Sequence, residues 1–412
     1  MEVHATGEVP VPEEPAPGSA AFEERLDRTT HSRSRPGNLV QMLFDGVSSF
    51  AERNRLISAA VHSVHLQTFI FNDDETGWEL AKLLVEKARQ GVKVRVLYDA
   101  VGSNRAEAAI FEFMRTHRVE VRAWGDPLEH PLEMNDRWHE KHLIVDGRVS
   151  IEGGMNIANE YAFGGSGKLV FSRGEVGTEP WRDADVRIEG PAVADAQRAF
   201  LRNWRRLGED VPPEELPALF PDPGMPGTAW VRVVQHRPEE DGDRNTHELY
   251  LQCFRSARRW IRIENAYFLP PADLRKALCD AARRGVDVLV MTNSRESNDL
   301  AVVTDAARYF YDELIAAGVR VFEKTGGTLH AKTATFDGVY SIVGSVNLNG
   351  RSERLDSEDA IGILDAATAR ALEVRFEEGL SQTHEVTAEE LRNEDFLTNL
   401  RQFSLSLLAW TF

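Results

Sequence analysis

Apolar and polar positions follow one another along the chain in blocks that predict helices succeeded by strands. Residues 56–71 (LISAAVHSVHLQTFIF) begin with apolar residues at helical spacing and end as an apolar strand. Residues 87–97 (KARQGVKVRVL) continue with a helix end, a glycine suited to the C′ position and a second strand. Alternation of helices and strands is typical of the α/β class.

The same order of elements occurs again in the second half of the chain. Residues 251–268 (LQCFRSARRWIRIENAYF) match the first block, and residues 281–291 (AARRGVDVLVM) match the second. An internal repeat of this length indicates two similar structural units. We therefore predict two α/β sandwich domains, each with a mixed central sheet.

Breaks in the pattern divide the chain into five segments. Proline, glutamate, serine and arginine dominate the N-terminus without apolar periodicity, and prolines and glycines interrupt every pattern after the first half. The predicted segments are a disordered tail (1–37), a first domain (38–210), a Pro/Gly-rich linker (211–228), a second domain (229–385) and a C-terminal helical tail (386–412).

Composition narrows the functional class. The 412 residues are 42% hydrophobic and 28% charged, as in globular proteins, and the formal net charge of −18 opposes binding to nucleic acid. Two cysteines are too few for a disulfide framework or a four-thiolate zinc site. An acidic, proline-rich N-terminus and the lack of a long apolar run predict a cytoplasmic protein with neither signal peptide nor transmembrane helix.

Each half contains one histidine motif with identical spacing. His139, Lys141 and Asp146 lie in HEKHLIVD, whereas His330, Lys332 and Asp337 lie in HAKTATFD. In a strand, residues two apart share a face, so each histidine emerges beside a lysine whose cation suits an anionic ligand. An Asp-Gly pair follows each motif and predicts a hairpin turn.

Further polar residues recur at matching positions after each hairpin. The returning strands end in Gly-Gly-Met-Asn and Gly-Ser-Val-Asn, which deliver Asn156 and Asn347 next to small residues that permit close approach of a ligand. Asp183 in WRDADVRI and Glu358 in SEDAIGIL each introduce an apolar strand. Either carboxylate could hydrogen-bond the far nitrogen of a histidine and set its tautomer.

These paired motifs resemble those of the phospholipase D superfamily. The segments FIFNDDETG, WRDADVRIEGP, AYFLPPADL and VGSVNLNGRS are most similar to bacterial cardiolipin synthases, and the likeness spans roughly residues 39–380. The resemblance implies two pseudo-twofold related α/β domains that share one site at their interface. It also implies a phosphatidyltransferase that acts on phospholipids such as phosphatidylglycerol through a covalent phosphohistidine, without metal or cofactor.

The resemblance further implies a role for each motif residue. His139 is expected to be the nucleophile and His330 the general acid and later base, with the reverse assignment left open. The lysines and asparagines would bind phosphoryl oxygens, and Asp183 and Glu358 would orient the histidines. Asp146 and Asp337 belong to the same catalytic motifs, although an Asp before Gly is also explained by turn geometry alone.

Several alternatives stay open at this stage. The same site could hydrolyse phospholipid to phosphatidic acid or act as a phosphodiesterase or nuclease, and a lipid-binding pseudoenzyme is a further class. The acidic residues Glu133, Asp136 and Glu140 make the approach to the first motif less basic, which leaves the head group undecided. HEKH is one residue short of the zinc-binding H-E-x-x-H motif and lies in a strand pattern, so no metal is expected.

A lipid substrate would require peripheral contact with a bilayer. The sequence contains two candidate segments in which aromatic residues accompany arginine or leucine: residues 198–207 (RAFLRNWRRL) and 404–412 (SLSLLAWTF). Such segments can lie in a membrane interface. Packing on the core of the same protein is the alternative for both. The sequence does not determine the oligomeric state.

Overall fold

A large mixed sheet forms the centre of the molecule. The computed structural model describes residues 14–106, 108–125, 135–163, 181–208, 210–240 and 242–409. The strands are β1 (Arg35–Phe44), β2 (Ser63–Thr68), β3 (Lys93–Asp99), β4 (Glu120–Trp124), β5 (Arg137–Trp138), β6 (His142–Val145), β7 (Val149–Gly153), β8 (Ala184–Glu189), β9 (Ala229–His236), β10 (Trp260–Asn265), β11 (Asp287–Asn293), β12 (Arg320–Lys324), β13 (Lys332–Phe336), β14 (Tyr340–Gly344), β15 (Asp356–Leu364) and β16 (Thr383–Glu385).

Helices connect most of the strands. They are α1 (Ala20–Thr29), α2 (Asp45–Ala59), α3 (Glu75–Arg89), α4 (Ala108–Thr116), α5 (Asn159–Ala162), α6 (Val193–Arg206), α7 (Leu216–Leu219), α8 (Asn245–Ser256), α9 (Ala272–Arg283), α10 (Ala301–Arg308), α11 (Tyr311–Ala316), α12 (Gly350–Arg354), α13 (Ala366–Leu380), α14 (Ala388–Arg392) and α15 (Phe396–Ser406). The predicted α/β class and the mixed sheet are confirmed.

The two halves are joined edge to edge in one sheet. The strand order is β16-β12-β11-β10-β13-β14-β15-β9-β1-β8-β7-β6-β2-β3-β4, with β5 paired to β15 outside this path. Read outward from the antiparallel β1–β9 pair, both halves show the same succession of strands. In each half two parallel pairs follow the antiparallel hairpin that carries the histidine motif. The pairing of β1 with β9 makes the two sheets continuous.

Apolar side chains are buried on both faces of the sheet. One large cluster lies in each half, and a third contains residues of both halves at their junction. Along β11, Val288 and Val290 enter one cluster, whereas Leu289 and Met291 enter another. This alternation follows the period of two of a strand covered on both sides. The shared cluster joins β6, which carries the end of the first motif, to β14 and β15 of the second half.

The prediction of a disordered tail over residues 1–37 is wrong for the part that the structure describes. Residues 20–29 form α1, and β1 begins at Arg35. Phe22 and Leu26 are fully buried in the cluster of the second half, and the hydroxyl of Ser19 accepts a hydrogen bond from Phe22 N at 3.2 Å as an N-cap. Two apolar residues four apart, together with the ion pairs of Glu23 and Asp27 to the buried Arg232, hold a segment of otherwise polar composition on the second half. Residues 1–13 lie outside the described part.

The predicted linker over residues 211–228 packs on the domains. Val211 and Leu219 are buried in the shared cluster, and α7 forms within the segment. Glu215 pairs with Arg95 at 2.7 Å. The Pro/Gly-rich segment is therefore an ordered connection between the two halves.

Helix α6 contains the first segment considered for membrane contact. Its aromatic residues Phe200 and Trp204 are buried in the shared cluster, and Phe200 stacks on His65 with ring centroids 4.5 Å apart. The interfacial interpretation of residues 198–207 is therefore wrong, and these aromatics belong to the core. The arginines of this helix pair instead with acidic neighbours, as Arg206 does with Glu239 at 2.7 Å.

Candidate active site

The first histidine is held by strand β15 of the opposite half. Strand β5 runs parallel to the start of β15, and the backbone N–H of His139 donates to the carbonyl of Ser357 at 2.9 Å. This pairing places Nδ1 of His139 2.9 Å from Oε2 of Glu358. Two serine hydroxyls also donate to the Glu358 carboxylate, Ser345 and, at 2.6 Å, Ser352. These hydrogen bonds hold the Glu358 carboxylate in the position from which it orients the imidazole ring.

The second histidine shows the reciprocal arrangement. An isolated bridge joins Arg182 to Leu329, and the N–H of His330 donates to the carbonyl of Arg182 at 2.8 Å. Nδ1 of His330 lies 2.7 Å from Oδ2 of Asp183, which the first half supplies. Each half thus provides the carboxylate for the histidine of the other half, a crossing that the sequence does not specify.

Burial sets the protonation of these pairs. Burial and the cations of Lys141 and Lys332 lower the pKa of both histidines well below the usual value. Burial raises the pKa of Glu358 to about 7 and that of Asp183 to about 6. A neutral imidazole that donates Nδ1–H to an ionised carboxylate has its Nε2 lone pair available as a base or nucleophile.

Both motif lysines lie beneath their histidines. The ammonium group of Lys141 donates to the carbonyl oxygen of His139, and that of Lys332 donates to the carbonyl oxygen of His330 and lies 3.0 Å from its Nδ1. Burial lowers the pKa of Lys141 to about 8 and that of Lys332 to about 7. The pair supplies positive potential directly behind the two rings.

The two predicted asparagines differ in the hydrogen bonds of their side chains. Asn156 accepts a hydrogen bond from Ile70 N at 3.0 Å and donates to the hydroxyl of Tyr161 at 2.8 Å. Asn347 is also buried, but its Oδ1 has no hydrogen-bond partner among the described residues. Both amides line the same cavity as the histidines. Of the two, Asn347 has the side-chain capacity left for a ligand.

The motif aspartates hold turns. Asp146 accepts hydrogen bonds from the backbone N–H groups of residues 61–63 at 2.7 to 3.2 Å, and Asp337 accepts the equivalent set from residues 258–260. Both have positive φ, 53° and 55°. Neither is among the described residues that line the cavity. This geometry favours the structural interpretation over a catalytic one.

A cavity of about 490 Å³ joins the two histidines and receives walls from both halves. His139 lies edge-on to Phe69, and His330 lies against Tyr161 and Trp181. The motif analysis missed several lining residues, namely Tyr161, Trp181, Tyr267, Asp299, Glu160 and Arg351. Repeat alignment could have revealed two of them, because Glu160 and Arg351 each lie four residues after the asparagine of their half.

Charge is distributed unequally along the cavity. The Arg351 guanidinium lies close enough to His139 to help lower the pKa of that imidazole, after burial and the two lysines. Glu160 and Asp299 line the cavity as acids, and burial raises the pKa of both. Glu160 and Arg351 thus have opposite charges at equivalent positions of the repeat, although each end carries both signs, because Arg351 pairs with Asp356 at 3.0 Å and Arg105 acts on Glu160.

The acidic approach predicted for the first motif is not formed by Glu140. Its carboxylate is buried, accepts a hydrogen bond from Gln67 at 3.2 Å and pairs with Arg237 at 3.4 Å. Glu140 faces away from His139, as the alternation of a strand requires. Asp136 is described, but Glu133 lies outside the described residues.

One buried group has the residue types of a metal site. His142, Glu152 and Asp359 have ligand atoms within 4.8 Å of one another. Burial opposes charge on His142, but the two carboxylates outweigh it and raise the pKa of this histidine to about 9. The described geometry is that of an ion pair between β6, β7 and β15, since Nδ1 of His142 contacts the Glu152 carboxylate and lies 3.6 Å from Oδ2 of Asp359.

Comparisons with known proteins cover both halves. The family model described as cardiolipin synthase, PLD-like domain matches residues 54–163 and 250–380. Cardiolipin synthase A of Pseudomonas entomophila (strain L48) is 34% identical over 365 residues, or 88% of this chain and 73% of that protein. The major cardiolipin synthase of Bacillus subtilis (strain 168) is 31% identical over 386 residues, or 93% of this chain and 77% of that protein.

A solved structure shows the same fold at lower sequence identity. The phosphatidylserine synthase of Haemophilus influenzae Rd KW20 has a TM-score of 0.70 and 16% identity, and the match covers 95% of this chain and all of that one. The two family-model segments contain His139 and His330 respectively, together with the strands that carry them. The chain therefore belongs to the phospholipase D-like family of the cardiolipin synthases.

Proposed function

We propose that this protein is a phosphatidyltransferase that converts two phosphatidylglycerol molecules into cardiolipin and glycerol. The observation that carries the proposal is the pair of neutral histidines in one cavity, each bound through Nδ1 to a carboxylate of the opposite half. Two such groups suit a double displacement, which needs a nucleophile and a separate proton donor. Homologues named cardiolipin synthase over most of the chain support the substrate class.

In the first step, Nε2 of His139 attacks the phosphorus of one phosphatidylglycerol. The anionic phosphodiester in the cavity raises the pKa of His330, which is neutral in the free protein, so that this imidazole takes up a proton when the substrate binds. The bond between phosphorus and the glycerol head-group oxygen breaks, and His330 gives that oxygen the proton. Glycerol leaves, and the phosphatidyl group stays on His139. Lys141, Lys332, Asn156 and Asn347 would stabilise the charge that develops on the phosphoryl oxygens.

In the second step, His330 takes a proton from a head-group hydroxyl of the second phosphatidylglycerol. The resulting oxygen attacks phosphorus, the phosphorus–nitrogen bond breaks, and cardiolipin forms while His139 is regenerated. Water in place of that hydroxyl would yield phosphatidic acid. Two aromatic rings, Tyr161 and Trp181, pack against His330 and help to exclude water from it.

The position of Arg351 near His139 supports His139 as the nucleophile. Arg351 acts on His139, where an anionic phosphodiester would be stabilised during attack. Glu160 and Asp299 suit hydroxyl groups of a glycerol head group better than a phosphate, because carboxylates repel anions and accept hydrogen bonds.

Substrates of this kind are presented in a bilayer, so we propose peripheral membrane contact. None of the described helices is both long and apolar enough to cross a membrane. The surface that makes this contact is considered in the next subsection.

Lipid mass spectrometry after incubation with phosphatidylglycerol vesicles tests the proposed reaction. We expect cardiolipin and glycerol from the unaltered protein and neither product from His139→Ala or His330→Ala. Phosphatidic acid without cardiolipin would make the protein a hydrolase. A lack of turnover with both vesicle and monomeric lipid would reject phospholipid as the substrate class.

A further inference from the structure

The last helix presents an apolar face to solvent. In α15 and the turn after it, the exposed apolar residues are Phe396, Leu397, Leu400, Phe403, Leu407 and Leu408. Phe396 is 78% exposed, Leu397 73% and Leu407 62%. At about 100° per residue, Phe396, Leu400, Phe403 and Leu407 fall within a narrow stripe, so they form one continuous surface.

The opposite side of the same helix packs on the protein. Leu405 and Ala409 lie against the cluster of the second half, and Gln402 is 3% exposed and donates to Glu394 at 2.7 Å. A helix that only covers its own domain would carry polar residues on its outward side. Here the outward side is apolar: Phe403 contacts the ring of Tyr309, whereas Phe396 and Leu407 are largely exposed.

Helix α10 connects this surface to the cavity. The ring of Phe403 lies 5.6 Å from that of Tyr309, centroid to centroid, at the end of α10. At the other end, Leu300 and Val303 line the cavity, while Val302 is exposed. One short helix thus has apolar residues both in the cavity wall and beside the stripe of α15.

We propose that the outward face of α15 binds a lipid bilayer and places the adjoining cavity against the membrane surface. This inference rests on the proposed function, since a bilayer is the source of the lipid substrates. Continuity with the cavity favours a bilayer over a second copy of the chain. Trp410 and Phe412 of the predicted membrane-contact segment lie outside the described residues and form no part of this surface.

The charge around the stripe determines how it binds. The segment 388–407 contains four acids (Glu389, Glu390, Glu394 and Asp395) and two arginines, Arg392 and Arg401, so it has no basic cluster that would attract anionic lipid. Attachment therefore depends on burial of apolar side chains. We expect salt to leave binding unchanged or to strengthen it, whereas a polybasic contact would be weakened.

Vesicle flotation tests the surface. The variant Leu397→Glu/Leu407→Glu introduces two charges at highly exposed positions, and Val47→Glu/Val61→Glu makes the same change at equally exposed valines outside α15. With phosphatidylglycerol-containing vesicles we expect about tenfold less bound protein for the first variant and no loss for the second. Turnover of short-chain phosphatidylglycerol below its micelle concentration should stay within about twofold for both.

Other results would separate the alternatives. Unchanged flotation of a folded Leu397→Glu/Leu407→Glu variant, or release of the unaltered protein by salt, would overturn the proposal. So would a dimer in sedimentation that this variant dissociates without loss of vesicle binding, because the stripe would then be an interface between chains. Vesicle binding through α15 without turnover of either lipid form would support docking and reject the proposed function instead.

Discussion

Glu358→Gln is the sharpest perturbation of the crossed arrangement. The substitution keeps the shape of the side chain but removes the charge that accepts Nδ1–H of His139 at 2.9 Å. A hydrogen bond to a charged group contributes about 1.5–3 kcal/mol. Because about 1.4 kcal/mol corresponds to a tenfold change in rate, we expect a loss of about 10- to 150-fold in the first step.

The assay follows formation of the covalent adduct through release of the leaving group. A phosphatidyl ester of p-nitrophenol has a leaving group that needs no general acid, so its release reports nucleophilic attack alone. Glu358→Gln should slow the burst of nitrophenol, because it acts on His139 of the other half. Asp183→Asn, which acts on His330, should leave the burst unchanged. It should slow the second step, so that adduct accumulates. Glu313→Gln, a partly exposed ion-pair partner of Arg275, is the matched control.

Each of three results would count against this reasoning. Bursts within about threefold of the unaltered protein in folded Glu358→Gln would refute the role of the crossed carboxylate. An inverted pattern, with the burst lost in Asp183→Asn, would assign the nucleophile to His330. A similar loss in Glu313→Gln would show that the assay reports general damage.

The remaining predictions concern pH, turns and the N-terminal helix. Glu358 must be ionised, with a pKa of about 7, and both motif lysines must be protonated, with pKa values of about 7 for Lys332 and about 8 for Lys141. We therefore expect kcat/KM of the free enzyme to follow a narrow bell with its maximum near pH 7, its acidic limb set by Glu358 and its basic limb by the lysines. Glu358→Gln should lose the acidic limb in a pH-rate profile, and its retention would implicate another group. Asp146→Asn keeps a residue that tolerates positive φ but weakens three backbone hydrogen bonds, so thermal unfolding should shift to lower temperature while activity per folded molecule persists in the cold. Phe22→Ala should lower the free energy of unfolding by about 3–5 kcal/mol in denaturant titration, and a change below about 1 kcal/mol would show that α1 is not part of the core.

The alternation of elements and the repeated motifs were predictable because they depend on local physics. A glycine at a helix end, a strand with period two and an Asp-Gly turn are encoded by a few neighbouring residues. The α1 helix was missed for a related reason: its segment is mostly polar, and Phe22 and Leu26 gain their burial only from contact with the second half. Local composition could not show that contact.

The two aspartates illustrate how far a motif can be interpreted. Their spacing from the histidines is identical in both halves, which groups them with the catalytic residues. The structure shows why the spacing is constant without such a role: each carboxylate binds the backbone at the start of the neighbouring strand, β2 for Asp146 and β10 for Asp337. A constant spacing reports a shared fold as readily as shared chemistry.

By itself, the sequence determined the class of fold, the presence of two equivalent units and the residue types of the site. Tertiary structure alone decided which carboxylate serves which histidine, since His139 bonds to Glu358 and His330 to Asp183 across the junction. It also decided that Phe200 and Trp204 are core residues, whereas Leu397, Leu400 and Leu407 are exposed. These outcomes depend on contacts between residues that are distant in the sequence. Local spacing specifies the face on which a side chain lies, whereas the partner of that face depends on how distant strands pair.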